Sequence, residues 1–564
     1  MHKRNVVRSL GETERPRARY VKLSTIVVPL RISPLARAVV GSISPSVPAQ
    51  FRRVLAAANT LTSPLIRKQI DMSLSPASAL VCRDLRIPLD DGIELSADLY
   101  PVPSGLPAPV VVMFTPYLKG DVSPLLLQVP ALSQAGMNVV VVDIRGTGDS
   151  GGVFQGPLSD QEASDGAEAV QWLAKQEWST GRVGLAGFSY PGAIQLLIAA
   201  RRPEGLACIA PGTAPIDFYR DWTHRGAIPS HTNWAALTFL QIGQRPECTS
   251  AAMDFYYGTA QALAEDGPEF WQRSPSNVLA DIEVPIMFIG GLYDYFARGT
   301  LRGFDAATSP KRLVLGPWGH QYPQDPTELV DWYRYWLSDE GTDPTSSENV
   351  AVWRIGAEEW CFTTGRSMPA APTVVSVGRT TIPVRSTQFG WPLVVTPSPV
   401  PVSMDMSTSS GMHLWGEDIV RPLGHVAGDI EGAPLVRMRL TAVGCTDADV
   451  YTRLSLEHPD GRIEQLTEGR LRLSHRAIDT QKSARYQDGS LESLHHTHVD
   501  PQPLPDHSVD VLIEMLPTSV RVPEGGQLLL GVSATRIDGV SRSAVINADE
   551  LAIALPVLDV STLD

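Results

Sequence analysis

The sequence predicts an α/β domain built on a mostly parallel sheet, followed by an all-β domain. Short apolar runs that lack polar alternation are typical of strands buried on both faces of a parallel sheet. They occur at residues 110–114, 137–142, 183–186, 286–289 and 313–315. Helical segments separate these runs, whereas after about residue 345 short strands alternate with turn residues. This pattern of short strands and turns predicts a β-sandwich or jelly roll.

Three further segments lie before and between the parallel strands. Residues 85–89 and 93–100 alternate in polarity around Asp90-Asp91-Gly92, which predicts a β-hairpin with one buried face. The clearest helix is predicted at residues 160–175, where apolar side chains recur at helical spacing. Residues 215–280 are rich in Trp, Phe and Tyr and are interpreted as a helical cap inserted between sheet strands. The alternative for the cap is a set of packing helices with no role in substrate choice.

These textures divide the chain into four parts. They are a basic extension of unknown role at residues 1–80, the α/β domain at 81–214 and 281–345, the cap at 215–280 and the jelly roll at 346–564. Residues 1–70 hold 13 Lys or Arg and only two acidic residues, in a chain whose net charge is −14. The extension is expected to lie on the acidic body, to bind a membrane surface or a partner, or to be a disordered tail.

Composition excludes several classes of protein. A hydrophobic content of 43% allows a large core and excludes wholesale disorder. The negative charge argues against nucleic-acid binding, because phosphate contacts need clustered positive charge. Five scattered cysteines without a C-x-x-C pair signal neither a zinc site nor a redox pair. We find no apolar stretch long enough for a membrane span and no secretory signal, so we expect a cytoplasmic protein.

A serine lies in a sharp turn between a predicted strand and a predicted helix. The strand, residues 182–186, leads to Ser189, and an apolar helix follows at residues 193–200. This arrangement is the nucleophile elbow of α/β-hydrolases, in which a strained turn exposes the serine oxygen. The backbone N–H of Tyr190 would then point into an oxyanion site at the helix start. The turn departs from G-x-S-x-G because Pro191 takes the last position.

A nucleophilic serine needs a base, and the base needs an orienting acid. In this fold the acid follows the serine and the histidine comes last. Asp294 and His320 each follow an apolar run, at the strand ends where ligands bind in open α/β sheets. Asp281 and Asp305 are rival acids, but Asp281 precedes its strand. Tyr117, after an earlier strand, could donate its hydroxyl to the same oxyanion or merely pack in its loop.

Ordered motifs along the chain resemble the CocE/NonD family, which groups cocaine-esterase-like hydrolases with Xaa-Pro dipeptidyl-peptidase-like and α-amino-acid-ester-hydrolase-like enzymes. The motifs are Asp98-Leu99-Tyr100-Pro101, Thr115-Pro116-Tyr117, residues 143–152, Gly187-Phe188-Ser189-Tyr190-Pro191-Gly192, Gly290-Gly291-Leu292-Tyr293-Asp294 and Gly316-Pro317-Trp318-Gly319-His320. The elbow of that family reads G-x-S-Y-x-G, which accounts for Pro191. Segments at 447–450, 458–461, 504–505 and 522–526 resemble its jelly-roll domain. The resemblance covers about residues 85–555.

The resemblance implies an α/β-hydrolase domain with an inserted helical cap and a C-terminal jelly-roll domain. It implies Ser189 as the nucleophile, Asp294 as the acid and His320 as the base. The Tyr117 hydroxyl and the Tyr190 N–H would form the oxyanion hole. No metal and no organic cofactor would be needed.

Other side chains have more than one interpretation. The candidates for the substrate pocket are Trp222, Trp234, Phe239 and Trp318. Cap aromatics such as Trp222, Trp234 and Trp271 fit core packing equally well. Arg145 and Asp149 are interpreted as formers of structural ion pairs. The histidines of residues 494–498 suggest a metal site, but we interpret the segment as a solvated polar loop.

The leading functional hypothesis is a serine carboxylesterase that cleaves a small-molecule ester through an acyl-enzyme. An aminopeptidase or α-amino-acid ester hydrolase would instead hold an ammonium group on cap carboxylates such as Asp217, Asp221 and Glu247. A biosynthetic acyltransferase or lactone-forming enzyme, and a non-catalytic binding protein, are further alternatives. A complete triad in the right order argues against the last. A homodimer joined through residues 1–80 is left open.

Overall fold

A computed structural model describes residues 82–122, 128–229, 265–320, 325–386, 419–424, 426–536 and 544–558. The predicted N-terminal extension lies outside these residues, as do Trp234, Phe239 and Glu247 of the cap. In the ranges given, no helix combines the length and apolar character needed to cross a membrane.

The first twelve strands belong to the predicted α/β part and its surroundings. In chain order, β1 to β12 are Cys82–Pro88, Glu94–Tyr100, Ala108–Thr115, Asn138–Asp143, Ser179–Phe188, Leu206–Gly212, His224–Arg225, Ile228–Pro229, Ile286–Gly291, Lys311–Gly316, Val350–Arg354 and Glu359–Thr363. Ten of them form one sheet in the order β1-β2-β4-β3-β5-β6-β9-β10-β11-β12, and β7 pairs with β8. Pairing is parallel from β4 to β11 and antiparallel at both edges.

The parallel centre of this sheet confirms the α/β prediction, and the β1–β2 hairpin confirms the predicted turn at residues 90–92. The helices α1 to α6 are Val129–Gln134, Asp160–Ala174, Tyr190–Ala199, Pro268–Trp271, Ala297–Ala306 and Thr327–Ser338. Shorter helical turns lie at Leu118–Val122, Phe218–Thr223, Pro275–Asn277, Leu279–Asp281 and Leu473–His475. In this way parallel strands and helices alternate along the chain, as expected for βαβ units.

Helix α2 occupies the segment in which the sequence predicts its clearest helix. Ser159 caps it, since its side chain accepts a hydrogen bond from the backbone N–H of Glu162. Gly166 allows α2 to approach α3 closely, because a Cβ at this position would lie 2.3 Å from the Cδ1 atom of Ile198. The two helices therefore pack side by side next to the elbow.

The core of the sheet lies between its central strands and the covering helices. Val111, Met113 and Met287 are buried there with Trp332 and Tyr333 of α6. The Tyr333 hydroxyl donates to the carbonyl oxygen of Leu185 at 2.7 Å, so this buried polar group is satisfied by the strand that carries the elbow.

The C-terminal part consists almost entirely of strands. Strands β13 to β24 are Thr373–Ser376, Thr380–Ser386, Ile419–Pro422, Asp429–Gly432, Leu435–Val443, Asp449–Glu457, Ile463–Arg472, Val509–Glu514, Thr518–Arg521, Gln527–Arg536, Val545–Leu555 and Val557–Leu558. Nine of them form a sheet along β19-β18-β22-β14-β23-β17-β20, with β13 beside β23 and β15 beside β22. Strands β21, β16 and β24 form a third sheet. This architecture confirms the predicted all-β domain.

Two details differ from the sequence-based division of the chain. Strands β11 and β12 extend the first sheet, although the sequence places everything after residue 345 in the β domain. Short strands look alike in sequence whichever sheet they join, and the buried β11 finds its partner in β10. In the cap, which the sequence predicts to be helical, the described residues form short helical turns and the β7–β8 hairpin.

Candidate active site

Ser189 lies at a strained turn between β5 and α3. Its φ of 65° and ψ of −129° are unfavourable for a residue with a Cβ, and strain of this kind is concentrated at functional sites. The turn can be this tight because Gly187 has no side chain: a Cβ would lie 2.6 Å from the Cβ of Pro191. The backbone N–H of Ser189 donates to the carbonyl oxygen of Gly212 at 2.9 Å, which ties the elbow to β6.

The structure brings Ser189, His320 and Asp294 together. The Nε2 atom of His320 lies 2.8 Å from the Oγ atom of Ser189, and its Nδ1 atom lies 3.0 Å from Oδ1 of Asp294. Asp294 is fully buried after β9, while His320 follows β10. Parallel strands end at the same edge of a sheet, so residues far apart in the chain meet there.

Hydrogen bonds between the two loops fix the acid relative to the histidine. The backbone N–H of Leu292 donates to the carbonyl oxygen of Gly316, and that of Tyr293 donates to the carbonyl oxygen of Trp318. An imidazole hydrogen-bonded to a carboxylate on one side and a hydroxyl on the other can accept the hydroxyl proton.

Tyr117 and Tyr190 also lie at the serine. The Tyr117 hydroxyl is hydrogen-bonded to the Ser189 side chain, and the backbone N–H of Tyr190 donates to the same hydroxyl. Burial raises the pKa of Tyr117 well above its usual value, so the hydroxyl keeps its proton and can act as a donor. Once a substrate oxygen takes the place of the contact between them, these two groups beside the serine can both donate to the oxyanion of a tetrahedral intermediate.

Two family models match this chain. The model of X-Pro dipeptidyl-peptidase (S15 family) matches residues 91–322, and that of the X-Pro dipeptidyl-peptidase C-terminal non-catalytic domain matches residues 427–545. A cocaine esterase from Rhodococcus sp. (strain MB1 Bresler) is 31% identical over 282 residues, which cover 43% of this chain and 49% of that protein. These matches are consistent with the CocE/NonD family, which is related to the X-Pro dipeptidyl-peptidases.

Solved structures share the fold of this chain. A CocE/NonD family hydrolase from Staphylococcus aureus aligns with a TM-score of 0.68 at 18% identity, covering 85% of this chain and 94% of the other. An α-amino acid ester hydrolase aligns with a TM-score of 0.67 at 17% identity, covering 88% and 100%. At such identities the likeness concerns the fold alone. The chain spans about half the length of the cocaine esterase that it matches.

The candidate residues for the substrate pocket differ in their surroundings. Trp222 is buried, with its ring packed edge-on against Tyr190 at 5.9 Å between centroids. Trp318 is half-buried and packs on Trp360 at 6.0 Å. Trp271 is 48% exposed, so it does not pack in a core. Trp234 and Phe239 lie outside the described residues and stay predictions.

The cap carboxylates that could hold an ammonium group already have partners. Asp217 accepts hydrogen bonds from the backbone N–H groups of Tyr219 and Arg220 and from the Arg220 guanidinium. Asp221 accepts from two backbone N–H groups and from Arg298. Both carboxylates therefore organise the base of the cap, and Glu247 lies outside the described residues.

The interpretation of residues 494–498 as a solvated loop is wrong. His496 and His498 are 7% and 3% exposed, and their rings stack with centroids 5.5 Å apart. The loop is buried because it packs against the base of the cap, where Arg220 donates to the carbonyl oxygen of His496. Burial lowers the pKa of His496 to about 4, so its ring is neutral near pH 7. The described ranges contain no cluster of side chains suited to a metal ion.

Arg145 and Asp149 form ion pairs, as predicted. Arg145 contacts Asp165 at 2.6 Å and Asp91 at 2.8 Å, and Asp149 contacts Lys119 at 2.9 Å. These pairs link the segment after β4 to helix α2, to the β1–β2 turn and to Lys119, and none of them involves Ser189.

Sequence reasoning missed three side chains around the site. Tyr295 stacks on the His320 ring at 4.8 Å between centroids, and Phe296 packs edge-on against the same ring at 5.3 Å. Their position directly after Asp294 was the available signal. Glu162 accepts a hydrogen bond from the Tyr190 hydroxyl at 2.6 Å. The sequence shows Glu162 only as a helix-start residue, because its contact with α3 is not local.

Proposed function

We propose that this chain is a serine hydrolase that cleaves carboxylic esters, with Ser189 as nucleophile, His320 as base and Asp294 as orienting acid. The observation that carries the proposal is the placement of the His320 ring within hydrogen-bond distance of both other side chains. Support also comes from the cocaine esterase relative and from the elbow geometry of Ser189.

The reaction follows from this geometry. His320 takes the Ser189 proton as the oxygen attacks the ester carbonyl, and Asp294 stabilises the imidazolium that forms. The Tyr117 hydroxyl and the Tyr190 N–H hold the developing oxyanion, each donor contributing about 2.7–4 kcal/mol to transition-state stabilisation. The imidazolium returns its proton to the departing alcohol, which leaves an acyl group on Ser189. Water, deprotonated by His320, then releases the carboxylic acid and restores the serine.

The test of this proposal is covalent labelling with a fluorophosphonate, followed by the mass of the intact protein. We expect one adduct on the wild type and none on Ser189→Ala, because only an activated serine reacts readily. Ser276→Ala is the matched control, since Ser276 is exposed on the protein surface. A wild type that neither forms the adduct nor hydrolyses a small aryl ester would contradict the proposal.

Ester chemistry is proposed ahead of amino-group recognition because of the cap carboxylates. Asp217 and Asp221 are engaged by arginines and backbone N–H groups, which leaves them poorly placed to bind a substrate ammonium. Hydrolysis rates on an aryl acetate, an amino-acid aryl ester and an X-Pro anilide compare the two functions directly. A preference for the free amino group would reverse the order of the two hypotheses.

Acyl transfer shares the first half of the reaction and is distinguished by its products. With an alcohol acceptor present, a hydrolase yields mainly the free acid, whereas a transferase or lactone-forming enzyme yields mainly a new ester. We therefore propose that product analysis by chromatography accompany the first active substrate.

A further inference from the structure

Both the backbone N–H and the side-chain hydroxyl of Tyr190 are hydrogen-bonded. Its backbone N–H is directed to the Tyr117 hydroxyl beside Ser189, while its own hydroxyl lies in the interior against α2. There the hydroxyl donates to Oε2 of Glu162 at 2.6 Å and accepts from the backbone N–H of Leu158 at 3.2 Å. Tyr190 is fully buried and Glu162 is 5% exposed, so water does not compete for these hydrogen bonds.

We propose that Glu162 is a positioning residue for the oxyanion hole, which acts by anchoring the Tyr190 ring and thereby aiming the donors at the reacting carbonyl. This inference rests on the proposed esterase function. Glu162 does not touch the substrate; it acts through Tyr190.

The anchored ring is connected to both proposed donors. Tyr190 supplies one donor itself, from the first residue of α3, where the N–H has no partner within the helix. Its ring packs edge-on against Tyr117, the other donor, at 6.3 Å between centroids. The same ring also packs edge-on against Trp222 of the cap. A rotation of the Tyr190 ring would therefore disturb both donors at once, next to a serine whose backbone is already strained.

Helix capping alone does not explain the position of the Glu162 side chain. A glutamate three residues after a serine cap usually reaches back to the backbone N–H of the cap. Here Oε2 accepts from Tyr190 instead, and Oε1 is buried without a hydrogen-bond partner among the described residues. A fully buried carboxyl with one unpaired oxygen destabilises the fold, which points to a purpose at the site.

The protonation state of Glu162 predicts a characteristic pH dependence of ester hydrolysis. Burial raises its pKa to about 8, so the carboxyl is mostly protonated at neutral pH. The titratable and charged groups that interact with it are Tyr190, Tyr117, Asp165 on the same helix, and Arg273 from the cap side. Above pH 8 the group becomes a buried anion that acts electrostatically on Tyr117 and Tyr190, the two proposed donors, and would oppose the negative charge of the oxyanion. Like charges repel, so ester hydrolysis by the wild type should decline there.

The experiment compares Glu162→Leu, Glu162→Gln, Tyr190→Phe and the double variant Glu162→Leu/Tyr190→Phe on one aryl ester. We expect Glu162→Leu to lower kcat by about ten- to a hundredfold with little change in KM, less than the loss of a whole oxyanion donor, which costs about 10²–10³. The double variant should be no slower than the slower single variant, because both substitutions remove the same hydrogen bond, the one between Tyr190 and Glu162. Glu162→Gln keeps an acceptor for Tyr190 and should restore kcat at pH 7, but without the decline above pH 8.

Glu168→Gln is the matched control, since Glu168 lies on the same helix and accepts instead from the backbone N–H of Asp90. It should behave as the wild type at every pH. Multiplicative losses in the double variant, or the same alkaline decline in Glu162→Gln as in the wild type, would overturn the inference. The second readout applies even if the leucine variant fails to fold. A wild type without labelling and ester hydrolysis would instead refute the proposed function itself, and this inference with it.

Discussion

Tyr117 shows how burial prepares a single side chain for its proposed role. In water, solvent competes for the hydrogen bonds of a phenol, but the buried Tyr117 hydroxyl is hydrogen-bonded to Ser189 and to the N–H of Tyr190. Because burial raises its pKa, the hydroxyl remains protonated at neutral pH. The backbone N–H of Tyr117 donates to the Thr115 side chain at 3.0 Å, which fixes the loop that carries it.

Removing that hydroxyl should slow the reaction without loosening substrate binding. For Tyr117→Phe we expect kcat to fall by about 10²–10³, because one oxyanion donor is lost while the ring remains. KM should change little, since the hydrogen bond strengthens only in the transition state. Steady-state kinetics on an aryl ester measures both constants. Tyr486→Phe, in the β domain, is the control, and equal losses in both variants would contradict the assignment.

At the scale of one element, the strand–turn–helix unit of β5, Ser189 and α3 depends on residues without side chains. Gly187 has a φ of 134° and leaves no room for a Cβ beside Pro191. Gly181, at the start of the same strand, also has a positive φ of 90°, but its nearest neighbour is 3.9 Å away. An alanine substitution at each of the two glycines therefore distinguishes the cost of backbone strain from the cost of a steric clash.

Gly187→Ala should destabilise the protein and disable the elbow. Backbone strain alone costs about 1–3 kcal/mol in the free energy of unfolding, and the contact with Pro191 adds to that cost. We expect fluorophosphonate labelling of Ser189 to be lost. Gly181→Ala should show the strain without the contact and keep its labelling. Denaturant unfolding and labelling of both variants provide the measurement, and full labelling of Gly187→Ala would contradict the prediction.

Elements specified by local patterns could be predicted, whereas contacts between distant elements could not. The elbow, the β1–β2 hairpin and the helix after Ser159 are each specified by a short stretch of consecutive residues. The Tyr295 ring on His320 and the Glu162 contact with Tyr190 depend on how whole elements pack, which no short pattern encodes. The burial of His496 and His498 was missed for the same reason, because a polar loop becomes interior only when another part of the fold covers it.

At the scale of the whole molecule, ion pairs of Glu514 join the β domain to helix α5 of the α/β domain. Glu514 of β20 contacts Arg298 at 3.2 Å and Arg302 at 2.9 Å, both from α5, which follows Asp294 by a few residues. Burial by itself would raise the pKa of Glu514, but the two arginines hold it below its usual value. The free energy gained from this pairing is therefore present at neutral pH and is lost as the pH falls through that lowered pKa.

Glu514→Gln should lower the melting temperature at pH 7, because it removes the carboxylate that pairs with Arg302 and that pairs, together with Asp221, with Arg298. Breaking a buried pair typically costs about 3–5 kcal/mol of stability. The difference from the wild type should shrink as the pH falls below about 4, where the wild-type carboxylate becomes protonated too. Thermal melts across this pH range test both statements. Asp510→Asn is the control, since Asp510 is 57% exposed in its ion pair with Arg437, and an equal loss there would contradict the prediction.

The parallel order of the first sheet also has a consequence for how the protein is made. Ser189, Asp294 and His320 follow β5, β9 and β10, which must all be paired before the three side chains meet. A ribosome that has released the chain only as far as Asp294 has produced the nucleophile and its acid but no base. Activity in the growing polypeptide should therefore begin only after His320 has left the exit tunnel. The time at which ester hydrolysis first appears would report when β5, β9 and β10 have all taken their places in the sheet.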